Sequence, residues 1–150
     1  MASSSLGSVF GLLTVANQVL DAIQQYRFAR HEIKSMMSEV SALHGVLKAV
    51  SEFLEKDSSR VSVIPEDTIA SCMVTLHGIM AIIQKFRTNS MPLFGASHIR
   101  WLRYKEKFQI LKNDLDRHKA TFSVVLSGYA RWYVLFLYLA FPWLFAYSRQ

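Results

Sequence analysis

The sequence predicts an all-α protein, a four-helix bundle with an extra apolar C-terminal helical segment. Three observations lead there. Four stretches carry apolar residues at alternating steps of three and four, and only a helix gathers such positions onto one stripe. Six glycines and three prolines in 150 residues leave few turns for a sheet. Breaker clusters at 57–65 and 88–96 cut the chain into helix-length pieces.

The first helix is expected to start at Val9, capped by Ser8. Its apolar set is Val9, Leu13, Ala16, Leu20 and Ile23, flanked by Phe10, Leu12, Val15 and Val19. No charged side chain precedes Asp21. Gly7 and Gly11 lie four apart, a spacing that permits close backbone approach. A signal peptide is the competing reading. It wants a positive leading segment, which is absent, and this helix runs on into Asp21, Gln24 and Arg27. Residue 2 is Ala, where N-myristoylation requires Gly.

The second helix is expected over Ala29 to Lys56, with Ile33, Met36, Val40, Leu43, Leu47, Val50 and Leu54 on its stripe. Its polar side holds Glu32, Lys34, Glu39, Lys48, Glu52 and Glu55. Asp57, Ser58, Ser59, Arg60 and Pro65 then punctuate the chain. Pro65, Glu66 and Asp67 suit the first turn of a third helix, where a proline forfeits only an unused N–H and carboxylates favour the dipole. That helix runs to Arg87 on Ile69, Cys72, Leu76, Ile79, Ile83 and Phe86. Lys85 and Arg87 suit its last turn.

After a loop rich in turn formers, Ser97 is placed to cap a fourth helix that ends near Gly128. Its stripe is the most regular: Trp101, Tyr104, Phe108, Leu111, Leu115, His118, Phe122 and Val125. Arg100, Arg103, Lys105, Lys107, Lys112, Arg117 and Lys119 are read as one basic face opposite, against Glu106, Asp114 and Asp116. Cations near an anionic bilayer contribute about 1 kcal/mol each; a plain solvated face is the rival reading.

Residues 1–128 are thus assigned to the bundle and 129–150 to a tail. Trp132 to Tyr147 is sixteen residues without a charge, between Arg131 and Arg149. Flanking arginines and terminal aromatics suit a membrane segment, with Trp132, Phe136, Phe141, Trp143 and Phe145 as lipid contacts. A full span wants about 20 residues, and Pro142 would kink the run. A tail folded onto the bundle and a gene-model artefact are the alternatives.

The net charge of +6 favours anionic partners, and 51% hydrophobic residues suggest contact with lipid or protein. The partners expected are anionic membrane lipid, other helical-bundle proteins, or a second copy in a homo-oligomer. Nucleic acid is disfavoured, since Trp101, Tyr104 and Phe108 follow core spacing and are not free to stack on bases. A single cysteine, Cys72, forms no internal disulfide and points to a reducing compartment, the cytoplasm with membrane association. His31, His44, His77, His98 and His118 form no metal-ligand motif. His77 and His118 on facing helices are a metal alternative, weighed against histidines held by core hydrogen bonds. No phosphate-cradling glycine loop or catalytic pattern occurs, so neither enzyme activity nor a cofactor is expected.

Several short blocks resemble a known family. They are Ser38-Glu39-Val40-Ser41-Ala42-Leu43 with Val46-Leu47, the Phe53-Leu54 pair, Asp67 followed by Cys72 and Leu76, and Trp101-Leu102-Arg103-Tyr104-Lys105 through Arg117-His118-Lys119. Over residues 5–126 they resemble the fungal N-terminal domain of STAND (NLR-like) proteins. This is the HeLo-like group, also found at the front of an azaphilone pigment cluster protein. The resemblance implies a helical effector or signalling module without catalytic residues. It also implies an N-terminal helix that inserts in membranes to drive regulated cell death. Here that helix is Leu6 to Leu20, with Leu6, Val9, Phe10, Leu12, Leu13, Val15 and Leu20 as insertion candidates. Such members continue into nucleotide-binding or repeat regions. The aromatic tail departs from that pattern, so a free-standing effector and a truncated product are both expected readings. A protein-interaction adaptor that oligomerises without lipid is the alternative function.

Overall fold

A computed structural model describes residues 2–26, 31–56, 64–88 and 96–140. It contains four helices: α1 (Ala2–Gln25), α2 (His31–Lys56), α3 (Glu66–Thr88) and α4 (Ala96–Ala140). Helix α1 packs on α2 and α3, and α4 packs on the same two. The spatial order round the bundle is therefore α1, α2, α4, α3. Helices α2 and α3, consecutive in the chain, lie across a diagonal, as do α1 and α4. Residue pairs 75–118, 78–111 and 86–101 meet across α3 and α4, so these two run antiparallel.

The stripes of α2 and α3 fall where the spacing predicts. All seven stripe residues of α2 and all six of α3 are buried. In α4, Trp101, Phe108, Leu111, Leu115, His118 and Phe122 are buried, while Tyr104 and Val125 pack half-buried at the edges. Trp101 anchors an aromatic cluster at the α3–α4 end. Its ring centroid lies 5.6 Å from Phe86 and 5.5 Å from Phe108, in the tilted and edge-on geometries that ring quadrupoles favour. Tyr104 stands edge-on to Phe86 at 5.5 Å, and Lys85 Nζ lies 5.5 Å from the Tyr104 ring.

Helix α1 departs from its predicted face. Val9, Leu12, Ala16, Val19 and Ile23 form the buried ridge, whereas Leu13 and Leu20 lie on its flank. The cause is compositional: α1 is apolar on nearly every side, so three-four spacing fits more than one stripe.

Helix boundaries also move. Helix α1 begins at Ala2, so Ser8 sits inside it and is no cap; the helix has already formed a full turn there. Helix α4 begins at Ala96, which places Ser97 within its first turn. Its far end passes Gly128 without a break and reaches Ala140. A lone glycine costs a helix interior about 1 kcal/mol, too little to stop a 45-residue helix. Pro65 lies one residue before the first turn of α3, and its carbonyl accepts from the N–H groups of Thr68 and Ile69 at 3.0 and 3.4 Å. The expected start of α2 at Ala29 lies outside the described residues.

Candidate functional site

Three parts of the fold carry the residues singled out by sequence: α1, the flanks of α4, and the far end of α4. In α1, Val9 and Leu12 are fully buried, and Leu6, Leu13, Val15 and Leu20 pack half-buried against the core. Phe10 is 41% exposed and shares the outer face with Thr14, Asn17, Gln18, Asp21 and Gln24. The candidate insertion helix is thus a core helix with one thin polar face. Helices α1 and α3 are each long and apolar enough to cross a membrane, a test that the core helix of a water-borne bundle also passes.

The close approach expected at Gly7 and Gly11 is absent. A Cβ at Gly7 would meet open space, and one at Gly11 would meet only the flexible end of Met73, at 3.7 Å. The tight glycine is Gly78 of α3, where a Cβ would lie 3.0 Å from Leu111 Cδ2 on α4.

The basic residues of α4 do not form one face. Lys105, Lys112 and Lys119 recur every seven residues along one edge of the buried stripe. Arg103 and Arg117 project from the outer surface, and Lys107 lies on the opposite edge. Leu102 and Ile110 are exposed between them. The Arg100 side chain lies outside the described residues. Lys119 is also committed: it binds Glu39 of α2 directly and Asp116 at 2.6 Å. Arg117 sits 3.7 Å from Asp114.

His118 and Lys119 are neighbours in sequence that hold two different helices. His118 Nε2 is 3.1 Å from Thr75 Oγ1 of α3, and the same hydroxyl is 3.1 Å from the Ser71 carbonyl. A hydroxyl carries one proton. Both contacts are hydrogen bonds only when Thr75 donates to Ser71 and accepts from a protonated His118 Nε2. Burial pushes the His118 pKa down; the Asp114 charge opposes this and Arg117 adds to it. For Lys119 burial also acts downward, but the hydrogen bonds to Asp116 and Glu39 outweigh it and raise the pKa. The Lys119 hydrogen bond chiefly holds the Asp116 carboxyl below its usual range. Sequence reading places His118 on the core stripe but misses Thr75 as its partner. The signal was present: Thr75 sits three after Cys72 and four before Ile79, on the buried ridge of α3.

Among the described residues, no group of three or more His, Cys, Asp or Glu side chains is arranged to hold a metal. His77 is exposed. Cys72 is buried, and desolvation pushes its thiol up to about 12. A thiol that stays protonated is a poor nucleophile.

The core ends at Leu126, yet α4 continues for fourteen residues, about 21 Å. On this overhang Arg131 is exposed, Leu135 is 56% exposed and Leu139 is 76% exposed. Of the tail candidates, the side chains of Trp132 and Phe136, and Phe141, Trp143 and Phe145 altogether, lie outside the described residues.

A closed bundle of four helices, with a histidine–threonine pair in its core, defines an all-α helical-bundle domain. The chain belongs to the family described as pigment biosynthesis cluster protein PigL N-terminal, which it matches over residues 1–130. No curated protein and no solved structure matches it. The family match includes all of α1, α2 and α3 and stops ten residues before α4 does.

Proposed function

We propose that this chain is a non-enzymatic signalling or effector domain that acts by helix-bundle association and membrane targeting, in regulated cell death or NLR-like signalling. The observation that supports the reading most is the state of α1. A helix without charge up to Leu20 is held as one wall of the core. Exchanging that wall for bilayer would turn a closed bundle into a membrane-bound one.

Magnitudes say that this exchange needs a trigger. Full burial of Val9, Leu12, Val19 and Ile23 contributes about 6–12 kcal/mol as an upper estimate. Placing the apolar side chains of Leu6 to Leu20 in a bilayer returns about 3–4 kcal/mol on an insertion scale. The resting state is therefore the closed bundle.

The test is flotation of the full chain with anionic vesicles. Charged residues at Leu12 would unfold the core and abolish binding for the wrong reason, because Leu12 is fully buried. Phe10→Asp with Thr14→Asp instead charges the outer face of α1 and leaves the core alone. Weaker flotation with an unchanged melting temperature supports the reading. A wild-type chain that stays off the vesicles overturns it and favours the lipid-free adaptor, and a variant that floats as the wild type does removes α1 from the lipid contact.

A further inference from the structure

Beyond Arg131 the overhang of α4 carries no charged residue. Successive residues of a helix step round it by 100°. Residues 132–140 read Trp, Tyr, Val, Leu, Phe, Leu, Tyr, Leu, Ala, so the sequence puts no charged residue at any step of the turn. No described element of the bundle covers Leu135 or Leu139. A second copy would bury one stripe of such a helix and leave the others in water, as a coiled-coil seam does. A bilayer covers every side at once, as it does for helices that are apolar all round. The charge-free run continues in sequence to Tyr147, with Trp132 and Tyr133 next to Arg131, and Trp143 and Tyr147 near Arg149. That is the amphipathic edging of a segment immersed in lipid.

We propose that the α4 overhang, entering at Arg131, is a standing lipid contact of this chain, independent of α1 and of anionic headgroups. The inference deepens the membrane reading above by naming the element that meets the bilayer in the resting state. Helix α4 is continuous from Trp101 to Ala140, so the bundle and the anchor share one rod. Lys112 is nineteen residues from Arg131, about 28 Å along that rod. This exceeds the Debye length of about 8 Å at physiological salt. With the rod standing in the bilayer, Lys105 and Lys112 contribute nothing to its binding.

Selective labelling gives the test. Cys72 is buried and its thiol stays protonated, so Leu139→Cys in the full chain takes a polarity-sensitive dye alone. Phe10→Cys, labelled in a parallel sample, reports α1 separately. With vesicles of phosphatidylcholine only, the dye at 139 is expected to shift to the blue. The same shift is expected after Lys105→Gln and Lys112→Gln. A dye at 139 that stays water-like with every vesicle overturns the proposal, whatever the dye at 10 does. So does a blue shift that appears without vesicles as protein concentration rises, which would mean self-association. A shift at 139 without one at 10 sustains this anchor while counting against α1 insertion.

Discussion

Thr75 on α3 and His118 on α4 meet at 3.1 Å, a polar contact set between two apolar ridges. A neutral residue pair in such a place restricts how the ridges slide, because a shift by one turn leaves a buried polar group unpaired. Thr75→Val removes the acceptor and keeps the shape. It is expected to cost about 1–3 kcal/mol, read as a lower denaturation midpoint. Thr75→Val combined with His118→Leu is expected to recover most of that loss. A double variant no better than the single would mean that the pair is not coupled.

The same histidine sets a pH dependence. Its pKa in the folded protein lies below the ordinary value of about 6.5. The unfolded chain therefore binds the proton first as pH falls, and stability declines from about pH 6.5 down to the folded pKa. His118→Leu is expected to flatten the stability–pH curve in that window relative to the wild type. Curves of equal slope would contradict a neutral, buried His118.

Helix packing at Gly78 is checked against a control glycine. A Cβ at Gly45 of α2 meets nothing within 4 Å, so Gly45→Ala is expected to stabilise by roughly 0.5–1 kcal/mol. Gly78→Ala gains the same propensity but pushes Leu111. It is expected to fall below Gly45→Ala by about 1 kcal/mol or more, with Leu111→Ala relieving the difference in combination. Equal effects at the two glycines would show that α3 and α4 are not this close.

Lys119 links α4 to α2 through Glu39 while holding Asp116. Lys119→Met is expected to raise the Asp116 pKa toward its ordinary value, followed by carboxyl chemical shifts. The stability change stays below about 1 kcal/mol, since Asp116 is half-exposed and solvent screens the pair. The depressed Asp116 pKa favours the folded state above about pH 4, and that share is lost as pH falls through the folded value.

The buried stripes of α2 and α3 are legible in the sequence, and that of α1 only in part. Ile33 to Leu54 and Ile69 to Phe86 lie buried as their spacing requires; charged residues occupy much of the rest of α2, whereas α3 keeps its stripe with Lys85 the one charged residue between Ile69 and Phe86. In α1 the polar residues Thr14, Asn17, Gln18, Asp21 and Gln24 mark only a thin outer face, so Leu13 and Leu20 stand equal to Leu12 and Val19 in sequence although their burial differs. Gly128 reads as a stop, but glycine ends a helix only where the following residues prefer another conformation, and Tyr129 to Ala140 do not. The grip of Lys119 on Glu39 joins residues 80 apart. Local spacing carries no trace of such a contact, and it removes one cation from the predicted basic face.

Amide hydrogen exchange with and without anionic vesicles reads the exchange of α1 between protein and bilayer most directly. If α1 leaves the bundle for lipid, its own amides stay protected inside the membrane. The core-facing amides of α2 near Val40 and of α3 near Leu76 and Ile79 then lose their cover and exchange faster. Unchanged protection in α2 and α3, in protein that floats with the vesicles, would contradict that exchange.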